Sequence, residues 1–109
     1  MPKYRVLRIE ELGELDFYGN LGAIAEFEDK HGIMFQDIIA SGKIGISTAV
    51  KLNYECHLIA CIRLKKEPVE FETFKAFADM SFLTLATNLI EDVSSEVKQK
   101  QKKTTNTQK

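Results

Sequence analysis

Residues 47–66 read STAVKLNYECHLIACIRLKK, and this stretch decides the fold. It contains neither glycine nor proline, and its apolar residues fall on most sides of a helical wheel drawn at about 100° per residue. A helix that is apolar over most of its circumference is normally buried, and about twenty residues is too long for a typical strand. Ser47 or Thr48 can cap its start, and Pro68 disfavours helix just beyond its end. We therefore predict a central helix over 47–66, against which the other elements pack.

The chain before this helix opens with two strand-like runs. Residues 4–9 (YRVLRI) and 15–18 (LDFY) have strand composition, and Gly13 lies in the segment that joins them. This pattern predicts a β-hairpin over 3–18. Because an isolated hairpin is not stable in water, it is expected to lie on the helices.

Helical patterns occupy the chain between the hairpin and the central helix. Apolar spacings of three and four predict a helix over 21–32, with Asn20 as its N-cap and Gly32 as the residue that ends it. Residues 34–40 predict a second, short helix. Both are expected to pack against the central helix.

Beyond residue 68 the pattern predicts two more helices. The first covers 69–80, and the second runs from Phe82 to about Val97. Ser81 lies between them, where its hydroxyl can compete for nearby amides and break the chain into two helices. The predicted fold class is mainly α (α+β): a small multi-helix domain around the central helix, with an N-terminal hairpin.

Length and charge describe one small domain with a basic tail. The chain has 109 residues, which suits a single domain, and we assign 1–97 to it. Residues 98–109 (KQKQKKTTNTQK) have no large apolar side chain and are predicted to form a disordered tail. The formal net charge is −1, but residues 1–97 hold ten basic and sixteen acidic side chains, so the predicted domain carries about −6.

Composition gives no sign of a membrane span or a secretion signal. The apolar fraction of 44% and the charged fraction of 28% are ordinary for a soluble globular protein. No apolar run reaches the roughly eighteen residues that a span requires, and the first residues lack the apolar core of a signal peptide. The cytoplasm is the expected compartment.

Cys56, His57 and Cys61 raise the question of a metal site. Ligands on one helix must lie three or four residues apart to share a face, and the two cysteines diverge by about 140°. We therefore expect no metal, cysteines that act as small apolar side chains, and a His57 that is half-buried or on the surface. The chain contains no G-x-G-x-x-G, P-loop or G-x-S-x-G pattern. No catalytic residue, cofactor site or enzymatic activity is predicted.

Residues 69–97 carry many large apolar side chains. Two helices of a small domain cannot easily bury all of them. One interpretation is an exposed apolar surface, which usually marks a partner site. The other is a tightly packed core with Ser81 at a corner. Under the first interpretation, the candidate partner-binding residues are Phe74, Phe77, Phe82, Leu83 and Ile90.

The lysine-rich tail leaves further interpretations open. It could contact nucleic-acid phosphates. However, the acidic domain would repel a duplex, and no predicted helix carries a stripe of Arg and Lys, which disfavours a nucleic-acid partner. A passive, solvated tail and docking on an acidic partner are the alternatives.

Four short motifs follow one another along the chain: FYG at 17–19, FEDKHG at 27–32, LNY at 52–54 and EPVEFETF at 67–74. They form an aromatic-Gly stretch, a helix ending in E-x-x-x-G, a helix with a Leu-x-Tyr centre, and a turn before a further helix. In this order and spacing, from about 17 to 96, the layout resembles that of the phage tail assembly chaperones, including related small proteins of gene transfer agents.

The resemblance implies a non-catalytic chaperone that acts in the host cytoplasm and is absent from the mature virion. Such proteins coat the long apolar helices of the tape measure protein, meet the tail tube subunit and leave before the tail is complete. Self-association is left open. Two other functions remain alternatives: a small helical DNA-binding regulator, suggested by the short helices and the lysine tail, and a structural subunit such as a tail completion protein.

Overall fold

A computed structural model of the chain describes residues 3–107, including the side chains of residues 3–96. Within this range a two-stranded hairpin is followed by five helices. The elements in chain order are β1 (Arg5–Ile9), β2 (Gly13–Phe17), α1 (Leu21–His31), α2 (Phe35–Ser41), α3 (Ile46–Leu64), α4 (Phe71–Ala76) and α5 (Ser81–Thr107). The predicted fold class, mainly helical with an N-terminal hairpin, is confirmed.

Helix α3 is the centre of the fold, as the sequence predicts. It packs against α1, α5 and β2, and its buried side chains extend from Ala49 to Cys61. The helix begins one residue earlier than predicted, with Gly45 in the N-cap position and no side-chain hydrogen bond at this cap. The prediction of Ser47 or Thr48 as the cap is therefore wrong, because both residues already lie inside the first turn.

The end of α3 is set by backbone geometry rather than by Pro68. Lys65 adopts the left-handed conformation (φ 58°), and the N–H of Lys66 donates to the carbonyl oxygen of Cys61 at 2.9 Å. This closing pattern ends the helix two residues before the predicted boundary. The last turn extends past the core, since Ile62 is 73% exposed.

The N-terminal hairpin is antiparallel, in a register that pairs Arg5 with Phe17 and Ile9 with Gly13. The N–H of Leu12 donates to the carbonyl oxygen of Ile9 at 2.9 Å and closes the turn, and Gly13 follows with a positive φ of 86°. Because the turn closes early, β2 begins two residues before the predicted second strand. The side chain of Phe17 is fully buried, which places the hairpin on the helices as expected.

A two-point ion pair ties β1 to α5. The guanidinium of Arg5 donates from Nε to Oδ2 of Asp92 at 2.7 Å and from Nη2 to Oδ1 at 2.9 Å. Both side chains are partly buried, 27% and 13% exposed, and the hydrogen bond to Asp92 raises the pKa of Arg5. A two-point contact of this kind fixes the angle between strand and helix as well as their distance.

Replacing Asp92 with Asn is expected to lower the free energy of unfolding by about 1–2 kcal/mol, because the guanidinium then lacks its charged acceptor. Urea unfolding of the wild type and of D92N measures this loss. R5A and the double variant R5A/D92N complete the cycle. The double variant should cost less than the sum of the two single changes, because the second change removes a partner that is already lost. Additive costs would contradict a direct interaction.

Helix α1 confirms both caps that the sequence predicts for it, and one of its side chains supports the start of α2. Oδ1 of Asn20 accepts a hydrogen bond from the N–H of Ala23 at 2.9 Å, and Gly32 ends α1 in the left-handed conformation. The carboxylate of Glu28 accepts the N–H of Phe35 at 2.9 Å, which satisfies a free amide in the first turn of α2. The E-x-x-x-G motif thus ends one helix and supports the start of the next.

The segment before α5 departs from the prediction. In place of one helix over 69–80, α4 covers only six residues, Phe71–Ala76. The carboxylate of Asp79 accepts hydrogen bonds from the backbone N–H and the hydroxyl of Ser81, at 2.9 and 2.5 Å, where α5 begins. These bonds lower the pKa of Asp79. The break between the helices therefore comes before Ser81, and Asp79 supplies the capping side chain.

Helix α5 extends to Thr107, past the predicted end near Val97. The side chains of 97–109, which include all five lysines of the predicted tail, lie outside the described residues. The predicted disorder of 98–109 stays a prediction, as does the assignment of 1–97 to one domain.

Candidate partner-binding surfaces

An aromatic cluster lies where β2, α3, α4 and α5 meet. Its members are Phe17, Tyr54, His57, Phe71, Phe74 and Phe82. Phe74 is at its centre and is fully buried. Its ring centroid lies 4.9 Å from that of Phe82 and 5.3 Å from that of Tyr54. It also stacks on the imidazole of His57, at 6.0 Å between centroids and an interplanar angle of 9°. The cluster therefore joins four elements through one residue of the short helix α4.

This packing corrects part of the prediction for residues 69–97. Phe74 and Phe82 are predicted as partner contacts, but both are fully buried in the core. The chain turns between α4 and α5, and this turn brings the two rings against each other. Neither side chain can touch a partner in this conformation, so the predicted contact is wrong for these two residues.

Phe77, Leu83 and Ile90 have a different environment. All three are half-buried, so each presents part of its side chain to solvent. Ile90 also lines a shallow groove of about 180 Å³ between α2 and α5, together with Ile39 and Ile44. For these three residues partner binding stays a prediction.

His57 is the polar centre of the buried region. Its side chain is 2% exposed, which corrects the expectation of a half-buried or surface residue. Nδ1 lies 2.9 Å from the carbonyl oxygen of Asp16, and Nε2 accepts the backbone N–H of Val69 at 3.1 Å. A carbonyl needs a donor and an N–H needs an acceptor, so these partners fix a neutral imidazole with its proton on Nδ1. Burial lowers the pKa of His57, which agrees with the neutral form.

The two cysteines of α3 are both buried free thiols. Cys56 is fully buried, and this burial raises its pKa. Sγ of Cys61 lies 3.6 Å from Nε2 of His57. Sequence reasoning missed this pair, although a spacing of four residues places two side chains on the same face of a helix. Within residues 3–96, no three His, Cys, Asp or Glu side chains are grouped so as to hold a metal ion.

A buried carboxylate joins α1 to α3. Glu55 is 3% exposed, and its Oε1 accepts a hydrogen bond from Nζ of Lys30 at 3.0 Å. Nε2 of His31 lies 3.7 Å from the other carboxylate oxygen. Both basic residues lie in the last turn of α1. Sequence reasoning missed Glu55, because the pattern of α3 gives no signal that this carboxylate faces them.

A buried amide joins α3 to α5. Nδ2 of Asn53 donates to the carbonyl oxygen of Phe82 at 2.9 Å. Oδ1 of the same side chain has no hydrogen-bond partner among the described residues. The contact therefore links the centre of α3 to the first turn of α5 through a single hydrogen bond.

An apolar groove lies between the start of α3 and α4. It encloses about 300 Å³, and we call it the α3–α4 groove. Its walls are formed by Ile46, Val50 and Lys51 on one side and by Phe71, Lys75 and Ala78 on the other. Ile46 is 47% exposed, so the groove opens to solvent at the first turn of α3. This surface is apolar and accessible, as a partner site requires. One of its walls belongs to the segment 69–97, but none of its residues is among the five candidate partner-binding residues.

Comparison of the chain with models of known protein families, with curated proteins and with solved structures gives no match. Among the helices described, none has both the length and the apolar character needed to cross a membrane.

Proposed function

We propose that this protein is a phage tail assembly chaperone, which binds the tape measure protein and tail tube subunits in the host cytoplasm and is absent from the finished virion. In this proposal it performs no catalysis and offers apolar surface to the apolar helices of its client. The net charge of about −6 on residues 1–97 keeps the protein soluble. Weak contacts repeated along a long client give avidity, yet each can be displaced when tube subunits polymerise.

The observation that carries the proposal is the packing of the four motifs into one core. Each motif contributes a buried side chain to it: Phe17, Phe27, Leu52 and Phe74. Phe17, from the first motif, lies 6.1 Å from Phe74, in the fourth, between ring centroids. The hydroxyl of Tyr54, from the third motif, donates to the carbonyl oxygen of Val69, in the fourth, at 2.7 Å. Segments that are far apart in the sequence thus meet in one core, which is what a shared layout of motifs requires.

Close packing explains why the first motif has a glycine at position 19. A Cβ at this position would lie 3.0 Å from the carbonyl oxygen of Leu89 and 3.3 Å from its Cδ2. A larger residue here would force the connection between β2 and α1, or α5 itself, to move by a few tenths of an ångström. The motif therefore marks a contact between elements rather than an isolated turn.

Co-expression with the tape measure protein encoded in the same genome tests the proposal. The tape measure protein is expected to be mainly insoluble alone, and to be soluble and to copurify with this chain when both are expressed. An unrelated acidic helical protein of similar size is the control. Unchanged solubility together with no copurification would reject the proposal.

Two further measurements separate the proposal from its alternatives. Mass spectrometry of finished particles should not detect a chaperone, whereas a tail completion protein would be present. A gel shift of duplex DNA that weakens steeply with salt would instead favour a DNA-binding regulator.

A further inference from the structure

The α3–α4 groove carries positive charge, although the domain around it is acidic. Lys51 and Lys75 flank its apolar walls, and neither has an ion-pair partner within residues 3–96. Acidic residues outnumber basic ones by sixteen to ten over 1–97, whereas the two charged residues that line this groove are both lysines.

We propose that the α3–α4 groove binds an amphipathic helix of a partner protein, whose acidic side chains border its apolar face and meet Lys51 and Lys75. This inference rests on the proposed function and deepens it, because it names the surface that contacts the client and the chemistry of the client segment. The apolar face provides the contact area, and the two lysines select which helices bind.

The geometry of both walls suits a helix. On α3, Ile46 and Val50 are four residues apart. On α4, Phe71 and Lys75 have the same spacing, and Ala78 lines the groove just beyond the end of that helix. Such spacings place side chains on one helical face, so a third helix laid between the walls can insert side chains at positions i, i+3 or i+4, and i+7. A volume of about 300 Å³ suits the side chains of one or two turns, since it lies at the lower limit of roughly 300–1,000 Å³ for sites that enclose a whole small molecule.

Two synthetic helical peptides test the selection by charge. Both carry the same leucine face; one has glutamate on either side of that face and the other has lysine. Fluorescence anisotropy with the full chain is expected to show that the glutamate peptide binds about three- to tenfold more tightly at low salt. The difference should shrink at high salt, because the ion pairs lie at the solvent-exposed rim.

Charge reversal at the groove provides the decisive variant. K51E/K75E is expected to reverse the preference, so that the lysine peptide binds more tightly. K43E/K65E is the matched control, because it makes the same change in net charge at exposed residues outside the groove, and it should retain the preference for glutamate. Amide chemical shifts of the wild-type chain are expected to change at Ile46 and around Phe71 when the glutamate peptide is added.

Several outcomes overturn the inference. They are equal affinity for the two peptides, a preference that K51E/K75E leaves unchanged, and shift changes that map away from the groove. Amide shifts of the groove residues that change with protein concentration alone would also overturn it. They would show that a second copy of this chain occupies the groove. Two measurements on the wild-type chain test the inference even if K51E/K75E does not fold. They are its affinities for the two peptides and the positions of the residues whose amide shifts change.

Failure of this inference can be told apart from failure of the proposed function. If the wild-type chain and K51E/K75E keep the tape measure protein equally soluble, the groove is not the client site, while the chaperone function stands. If the wild-type chain itself leaves that protein insoluble, the chaperone function fails, and the peptide experiment still decides the groove.

Discussion

We expect the substitution Phe74→Ala to lower the free energy of unfolding by about 3–5 kcal/mol. Phe74 is fully buried and stands at the centre of the aromatic cluster, in contact with rings from β2, α3 and α5. Truncation leaves a cavity where four elements meet, and the rings around it cannot all move inward. Since a domain of this size has a total stability of only about 5–15 kcal/mol, the variant should unfold at a much lower urea concentration.

Phe77→Ala is the matched control for this prediction, because it makes the same chemical change three residues further along the chain. Phe77 is half-buried, so its loss should cost less than half as much. Urea unfolding followed by circular dichroism measures both variants. Equal losses at the two positions would show that Phe74 is not the centre of the core.

The central part of the fold could be predicted because its signals are local. The stretch that becomes α3 lacks helix breakers, and Asn20 and Gly32 have the chemistry of an N-cap and of a left-handed helix end. Each signal acts within a few residues, so tertiary context did not overrule it. Gly13 likewise marks the hairpin turn, although the bond that closes the turn shifted the second strand.

The orientation of the phenylalanines beyond residue 68 could not be predicted, because it depends on where α4 ends. In one helix over 69–80, Phe74 shares a face with Phe71 and Ala78, whereas Phe77 lies off that face, and the pattern does not say which face is buried. The early end of α4 at Ala76 puts Phe77 in the connection to α5 and leaves Phe74 alone on the buried face. The burial of the polar residues of α3 could not be predicted for a similar reason. The partner of Glu55 comes from α1, and no spacing within α3 can indicate it.

The second large effect is expected at His57. The substitution His57→Phe keeps a ring of similar shape but removes both hydrogen bonds, so the carbonyl of Asp16 and the N–H of Val69 lose their partner. Leaving two backbone groups unpaired in a buried region should lower the free energy of unfolding by about 2–4 kcal/mol at pH 8. Both groups lie outside α3, on either side of it in the sequence, so we also expect faster amide hydrogen exchange at Val69.

The same histidine makes the stability depend on pH. Burial lowers the pKa of His57 below its ordinary value of 6.5, whereas the unfolded chain keeps the ordinary value. Below pH 6.5 the unfolded chain therefore binds a proton that the folded chain does not, and folding becomes less favourable. The free energy of unfolding should fall as the pH falls from about 6.5 towards the folded pKa, by at most about 1.4 kcal/mol per pH unit, and this contribution should level off below that pKa.

Comparison of pH profiles isolates this contribution from that of the carboxylates. His57→Phe should lose the part of the slope that begins near pH 6.5, because it has no group to protonate. Tyr54→Phe is the matched control: it removes another hydrogen bond to Val69, from the phenol to the carbonyl, and should cost about 1 kcal/mol while keeping the slope. If His57→Phe and the wild type show parallel profiles between pH 8 and pH 5, the imidazole is not held neutral by its two backbone partners. The link that it forms between β2 and the segment before α4 would then be weaker than the distances imply.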